Sequence, residues 1–200
     1  MFEPAEPLDQ ETRENKMSLK LTLRDLSRIA IFAAIIAVLT LPGEIPLAIG
    51  VPISFQTLGV MLAGVILGAY RGTIAAALYV ILGLIGLPIL SGHASGFAVL
   101  AGPTAGFLIG FIPGALVVGL IAHSAKAKFG VVRVILGSIL GGIGVVYAFG
   151  IPVLATSYKV DLFTAAGYMA PYLIGDAIKV VLTTIIAAAL YRAYPKAFKN

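Results

Sequence analysis

Two ionisable residues, Asp176 and Lys179, lie inside an apolar stretch near the carboxyl end of the chain. The stretch covers residues 171–190, PYLIGDAIKVVLTTIIAAAL, and its length suits a membrane-spanning helix. Residues three apart share one face of a helix and can touch. Charged groups in hydrocarbon are costly and usually mark a substrate or ion path. The pair therefore indicates a polar site inside a helical bundle, with Asp176 accepting and Lys179 donating. A structural ion pair that fixes the rotation of the helix is the alternative.

Three further polar residues could complete a binding site. Gln56 begins the second apolar span, Tyr79 lies within the third, and His93 lies in the Gly-rich loop SGHASG that follows it. Together with Asp176 and Lys179 they offer donors and acceptors to a polar ligand, and the surrounding aliphatic residues offer an apolar wall. Most small-ligand sites combine these two features. Each residue also has a plainer explanation: Gln56 as a helix cap, Tyr79 as a packing residue, and His93 as a solvated loop residue.

The composition is that of an integral membrane protein. Of the 200 residues 60% are hydrophobic and 12% are charged, about half the charged fraction of a soluble domain. The mean hydropathy is +1.03. The chain has no cysteine, which excludes disulfides and thiolate metal sites. The two histidines are predicted on opposite membrane faces, so we expect no metal site. A net charge of +5 would suit nucleic acid, but the basic residues cluster in short loops beside apolar spans, as membrane topology requires.

The apolar segments predict an all-α bundle of six transmembrane helices. The polar, acidic residues 1–16 are predicted to be a disordered tail, and residues 17–200 a single membrane domain. A break at Pro113 would raise the count to seven. The six spans are predicted near 27–42, 55–70, 73–90, 97–122, 131–154 and 170–192.

The basic residues predict that both termini are cytoplasmic. With that orientation, 12 of the 14 Lys and Arg residues fall in cytoplasmic segments, Lys159 faces outward and Lys179 is buried. The outward loops are then 43–54, 91–96 and 155–169. The first of these is apolar and carries two prolines, which is typical of a loop that folds over a site open to the outside.

Small residues in the first span form two overlapping pairs, Ala30 with Ala34 and Ala33 with Ala37. Such small-xxx-small pairs allow close helix approach. They fit either packing inside the bundle or docking of another membrane protein, and the spacing alone does not separate these possibilities.

Four segments together resemble the BioY family, the biotin-specific substrate-binding (S) components of energy-coupling factor (ECF) transporters. The elements Q-T-L-G, G-L-P, G-P-T and G-D-x-x-K occur in the order and spacing of that family. They lie in GVPISFQTLGVMLAGVILG at 50–68, LYVILGLIGLPIL at 78–90, GPTAGFLIGF at 102–111 and APYLIGDAIKVVL at 170–182. The chain departs from the usual family pattern at His93 and Ala94, where glycines are frequent, and at Ala105 and Phe107.

The resemblance implies a high-affinity biotin-binding subunit in the cytoplasmic membrane of a prokaryote, with no cofactor of its own. It implies a membrane partner, the T component, and through it two ABC-type ATPase subunits. The residues that match the binding positions are Asp176, Lys179, Gln56 and Tyr79, with His93 as a further candidate. The residues that match the docking face for the T component are Ala30, Ala33, Ala34 and Ala37.

Other functions remain open on the residues alone. A subunit for a different vitamin would use the same kind of site, and a structural membrane subunit could use the charge pair for assembly. A membrane enzyme with Asp176 and His93 as acid and base would need a nucleophile or metal that the sequence does not supply. The sequence has no G-x-x-x-x-G-K-[ST] phosphate loop, so we expect ATP hydrolysis to occur on partners. For biotin, charge favours Lys179 as the partner of the carboxylate, although the sequence does not decide between Asp176 and Lys179.

Overall fold

The computed structural model describes residues 21–40, 54–124 and 129–198, and every regular element within these ranges is helical. The tail at 1–16, most of the first outward loop, and Lys126 and Lys128 lie outside the described residues. The helices are α1 (Leu23–Val38), α2 (Gln56–Leu84), α3 (Ala105–Ala122), α4 (Val131–Gly137), α5 (Val146–Tyr158), α6 (Leu162–Gly167) and α7 (Ala170–Ala193). A π-helical segment, Ser138–Val145, joins α4 to α5, and short 3₁₀ turns cover Ser91–His93, Phe97–Ala101 and Pro195–Phe198.

Among the described residues, four helices are long and apolar enough to cross a membrane. They are α2, α3, α7 and the continuous helix Val131–Tyr158, which is formed by α4, the π segment and α5. Helix α1 is shorter, at 16 residues. The described residues therefore form the all-helical, multi-span architecture expected from the composition.

Helix α2 is a hairpin of two antiparallel halves, 56–67 and 69–84. Gly68 has φ 82° and ψ 177°, a conformation that is nearly confined to glycine. The side chain of Gln56 donates a hydrogen bond of 2.5 Å to the hydroxyl of Tyr79, 23 residues further on. In a straight helix these residues would be about 35 Å apart, at 1.5 Å per residue. The chain must therefore reverse direction at Gly68.

The predicted spans agree with the observed helices in order but differ at their ends. The first span, 27–42, is observed as Leu23–Val38, because Thr22 and Asp25 form a capping box that starts the helix earlier. The turn predicted at 70–73 lies at Gly68 instead. The last span, predicted at 170–192, is observed as Ala170–Ala193.

The fourth predicted span, 97–122, is longer than the observed helix Ala105–Ala122. Residues Phe97–Ala101 form a 3₁₀ turn, and α3 begins only at Ala105, after Gly102 and Pro103. The alternative of a break at Pro113 is wrong, because α3 continues through this proline to Ala122. Proline is tolerated inside such helices because neighbouring groups satisfy the freed backbone carbonyl.

The α2 hairpin and α3 form the centre of the bundle. Their buried faces meet in a core that includes Val60, Ala76, Tyr79 and Phe111, with Ile36 contributed by α1. Gly119 of α3 lies directly against the backbone of Gly68 and Ala69, so any side chain there would separate α3 from the hairpin turn.

The two ends of the bundle differ in chemistry. At the hairpin turn, Arg71 pairs with the buried carboxylate of Asp25 at 2.8 Å. His123 at the end of α3 lies at the same end, 2.8 Å from the carbonyl of Val65. The opposite end holds Gln56, Tyr79 and the 3₁₀ turns Ser91–His93 and Phe97–Ala101, and a cavity opens at this end.

Candidate functional site

Asp176 and Lys179 form a buried ion pair in α7. One carboxylate oxygen of Asp176 accepts a hydrogen bond of 3.0 Å from the ammonium of Lys179, and each residue is 5% exposed. The ammonium also donates to the hydroxyl of Thr57 in α2, at 3.0 Å. The predicted i, i+3 contact is therefore present. The hydroxyl of Thr57 further ties the pair to the first half of the hairpin.

Gln56 and Tyr79 form a second polar group in the α2 hairpin. Besides its bond to Tyr79, Gln56 accepts a hydrogen bond of 3.1 Å from the hydroxyl of Ser54. The hydroxyl of Tyr79 donates to the carbonyl of Ile89, at 3.0 Å. Tyr79 is fully buried and does not line the cavity, so it orients Gln56 from behind.

A cavity of about 770 Å³, including its mouth, brings these polar groups together. Gln56, Thr57, Asp176 and Lys179 line the cavity, with Ser54 and Ser91 among the other polar lining residues. The apolar part of the wall consists of Leu90, Ala94, Val99, Phe107, Leu108, Phe111, Val146 and Met169.

Tyr147 is a site residue that the sequence reasoning missed. Its hydroxyl donates to the second carboxylate oxygen of Asp176, at 2.5 Å, and it lines the cavity with Tyr172. The ring of Tyr147 meets Phe107 edge-on, with ring centroids 6.0 Å apart. In the sequence, Tyr147 is one aromatic residue in an apolar span, and no spacing rule links it to Asp176. The only available signal was its phenolic hydroxyl, a polar group in an apolar span that needs a hydrogen-bond partner when it is buried.

His93 does not line the cavity. It is exposed on the 3₁₀ turn Ser91–His93 and has φ 58°, while its neighbours Ser91 and Ala94 do line the cavity. Within the described residues no cluster of three or more His, Asp or Glu side chains could hold a metal ion.

The four alanines of α1 do not form one surface. Ala30 and Ala34 are exposed, Ala37 is half-buried, and Ala33 is 3% exposed because it packs into the core. The two overlapping pairs therefore lie on different faces of α1. The face with Ala30 and Ala34 is available to a partner, whereas Ala33 packs inside the bundle.

Comparison with known proteins agrees with this geometry. The sequence profile of the BioY family matches residues 13–196. The chain is 46% identical over 183 residues to the biotin transporter BioY of Rhizobium etli, covering 88% of this chain and 97% of the relative. It is 40% identical over 183 residues to the biotin transporter BioY of Rhodobacter capsulatus, covering 87% and 96%.

A solved structure has the same fold. The crystal structure of the S component for biotin from an ECF-type ABC transporter superposes with a TM-score of 0.81 at 29% identity. The match covers 92% of this chain and 100% of that one.

Proposed function

Because this chain belongs to the BioY family, we propose that it is the biotin-binding S component of an ECF-type uptake transporter. It is not an enzyme; it captures biotin from the outside and delivers it inward with partner proteins. The observation that carries this proposal is the buried Asp176–Lys179 pair in the wall of a largely apolar cavity. Such a cavity suits a small ligand with a polar head and an apolar body.

The geometry changes which part of biotin we assign to the pair. Lys179 is already neutralised by Asp176 at 3.0 Å, so the pair has no net charge to offer a carboxylate. A neutral ureido ring has a carbonyl that can accept from Lys179 and N–H groups that can donate to Asp176. Lys179 has three N–H donors, of which two are directed at Asp176 and Thr57. We therefore assign the ureido head to the pair and the valerate carboxylate to the mouth of the cavity, near Ser54 and Ser91.

Binding of biotin analogues to the purified protein tests both the function and this assignment. Calorimetry should show tight one-to-one binding of biotin. Biotin methyl ester should bind within about tenfold of biotin, because a group at the mouth stays partly solvated. A tetrahydrothiophene valerate without the ureido ring should lose about 100-fold or more, because the buried pair would then face no partner.

Three results would contradict these proposals. Failure of folded protein to bind biotin would overturn the function, and binding of a different vitamin in a panel would reassign it. If the methyl ester does not bind and the acid without the ureido ring does, the proposed orientation is reversed, and the carboxylate is assigned to Lys179.

We further propose six membrane crossings with both termini in the cytoplasm of a prokaryotic cell. The two halves of the α2 hairpin, α1, α3, the helix Val131–Tyr158 and α7 would supply the six crossings. Five arginines lie toward the end of the bundle that carries the hairpin turn: in α1, beside the turn, in α4 and at the end of α7. They are Arg24, Arg28, Arg71, Arg133 and Arg192. This distribution supports a cytoplasmic location for the hairpin-turn end. The cavity then opens outward. Residues 17–200 form one membrane domain in this proposal.

For the T component and its two ATPases, we propose docking on the exposed face of α1 that carries Ala30 and Ala34. The exposure of these two residues supports the proposal. Ala33 is buried and is therefore not part of the proposed contact surface. Small residues allow close approach of another helix, which is how membrane helices gain van der Waals contact.

A bulky residue on this face should prevent assembly without affecting capture. We expect Ala34→Leu to reduce co-purification with the T component at least about tenfold while biotin affinity stays within twofold, because the cavity lies on other helices. Ala189→Leu, on the exposed face of α7, is the matched control and should assemble normally. Normal assembly of Ala34→Leu, or equal loss in both variants, would remove this face from the docking proposal.

A further inference from the structure

The carboxylate of Asp176 is held from two sides. Lys179 donates to one oxygen at 3.0 Å, and the hydroxyl of Tyr147 donates to the other at 2.5 Å. The two donors come from different helices, α7 and α5. All three side chains line the cavity. The plane of the carboxylate is therefore fixed by two contacts before any ligand arrives.

The helix that carries Tyr147 is irregular immediately before this residue. Val146 and Tyr147 directly follow the π segment Ser138–Val145, and both line the cavity. A π turn holds more residues than an α turn, so it rotates everything that follows relative to the helix before it, and such segments are frequent at functional sites. The widened segment therefore sets the direction in which Tyr147 points.

Close packing fixes the π segment in place. Gly141 lies against the backbone of Gly114 and Val118 in α3, and Gly142 lies against the side chain of Met61 in α2. Larger residues at these positions would meet those atoms at less than van der Waals distance. Beyond the segment, the edge-on contact with Phe107 orients the ring of Tyr147. The rotation of the helix and the position of the ring are therefore both constrained from outside α5.

We propose that Tyr147 is a positioning residue for biotin capture, which it serves by holding the Asp176 carboxylate in its ligand-accepting orientation. This inference rests on the proposed function. A hydrogen bond to a charged group that forms before the ligand binds removes part of the ordering cost of binding. Tyr147 acts through Asp176, so its effect must be visible on the carboxylate itself, with or without ligand.

Tyr147→Phe tests the proposal, because it removes the hydroxyl and keeps the ring that packs on Phe107. We expect a loss of biotin affinity of about tenfold or more. Infrared spectroscopy gives a second measurement without ligand. The carboxylate band of Asp176, identified as the band lost in Asp176→Asn, should shift in Tyr147→Phe. Tyr191→Phe removes a hydroxyl near the other end of α7, in the ring cluster with Phe129 and Phe198, and should change neither affinity nor band.

The biotin affinity and the Asp176 band test the role of Tyr147 separately from the proposed biotin-binding function. An unmoved Asp176 band shows that Tyr147 does not hold the carboxylate and overturns the inference. A shifted band with unchanged biotin affinity shows that the hydrogen bond exists but does not position the ligand, which also overturns it. Wild-type protein that binds no biotin overturns the proposed function, and the band shift still reports whether Tyr147 holds Asp176.

Discussion

Lys179→Ala should weaken biotin binding by about 10- to 150-fold. Removing a charged hydrogen-bond donor to the ligand typically costs about 1.5–3 kcal/mol, at about 1.4 kcal/mol per factor of ten, whereas the uncompensated Asp176 carboxylate is present with and without ligand and mainly lowers the stability of the fold. Here Asp176 would remain in the cavity wall at 5% exposure without its cation, and the proposed donor to the ureido carbonyl would be lost. Calorimetry on detergent-purified protein measures the change directly.

Two companion variants separate binding from folding. Removing both charges together, with Asp176→Asn and Lys179→Met, should return thermal stability toward that of the wild type, because no uncompensated charge is left. Biotin affinity should stay low in this double variant. Lys159→Asn is the matched control, since it removes an exposed lysine on the cavity side and asparagine tolerates the φ of 54° at that position.

The alternative role of the pair gives a different result. If Asp176 and Lys179 only fix the rotation of α7, Lys179→Ala will lower the melting temperature and leave the affinity of the folded fraction unchanged. That outcome would remove the pair from the binding site and would leave the ligand to the other polar lining residues, Gln56 and Thr57 among them.

The charge pair was predictable from the sequence because its geometry is local. Residues three apart on a helix meet whatever the rest of the fold does, so the Asp176–Lys179 contact follows from spacing and apolar context alone. The family resemblance, now confirmed by the BioY profile and by relatives of 40% and 46% identity, rests on similarly local motifs. The predicted end of the last helix, at 192, is also within one residue of its observed end at Ala193.

The contact between Tyr147 and Asp176 could not be predicted in the same way. The two residues are 29 positions apart, and their meeting depends on how many residues the π segment holds between α4 and α5. No pattern of apolar residues reports a π turn, because it changes the rotation of a helix and leaves its composition unchanged. The burial of Ala33 and the exposure of Ala30 and Ala34 also depend on helix rotation, because the rotation of α1 against the hairpin decides which alanine is buried.

For the α2 hairpin, the local sequence pattern predicts the reversal of the chain but not its exact position. The sequence predicts two apolar spans, 55–70 and 73–90, joined by a tight turn; the reversal is present, but it lies at Gly68 and not at 70–73. Arg71 lies in the second half of the hairpin, and its guanidinium pairs with Asp25 of α1. The position of the basic residue therefore does not mark the reversal, and the backbone conformation of Gly68 does.

This position gives the second large prediction: Gly68→Ala should destabilise the protein and weaken biotin binding together. With φ 82° and ψ 177°, Gly68 occupies a region that costs a residue with a side chain roughly 1–3 kcal/mol. The turn is also covered by Gly119 of α3, so a backbone shift that relieved the strain would press against that helix. We expect a lower melting temperature for the purified protein.

The loss of binding follows because the hairpin brings the site residues together. The reversal at Gly68 places Gln56 beside Tyr79 and holds Thr57 beside Lys179, so a strained turn loosens both contacts at the cavity. Gly167→Ala is the matched control, because nothing lies within 4 Å of a side chain added there and its φ is not positive. A Gly68→Ala protein with wild-type melting temperature and affinity would show that the reversal does not depend on this residue. A protein that is destabilised but binds normally once folded would show that the hairpin fixes the fold and not the geometry of the site.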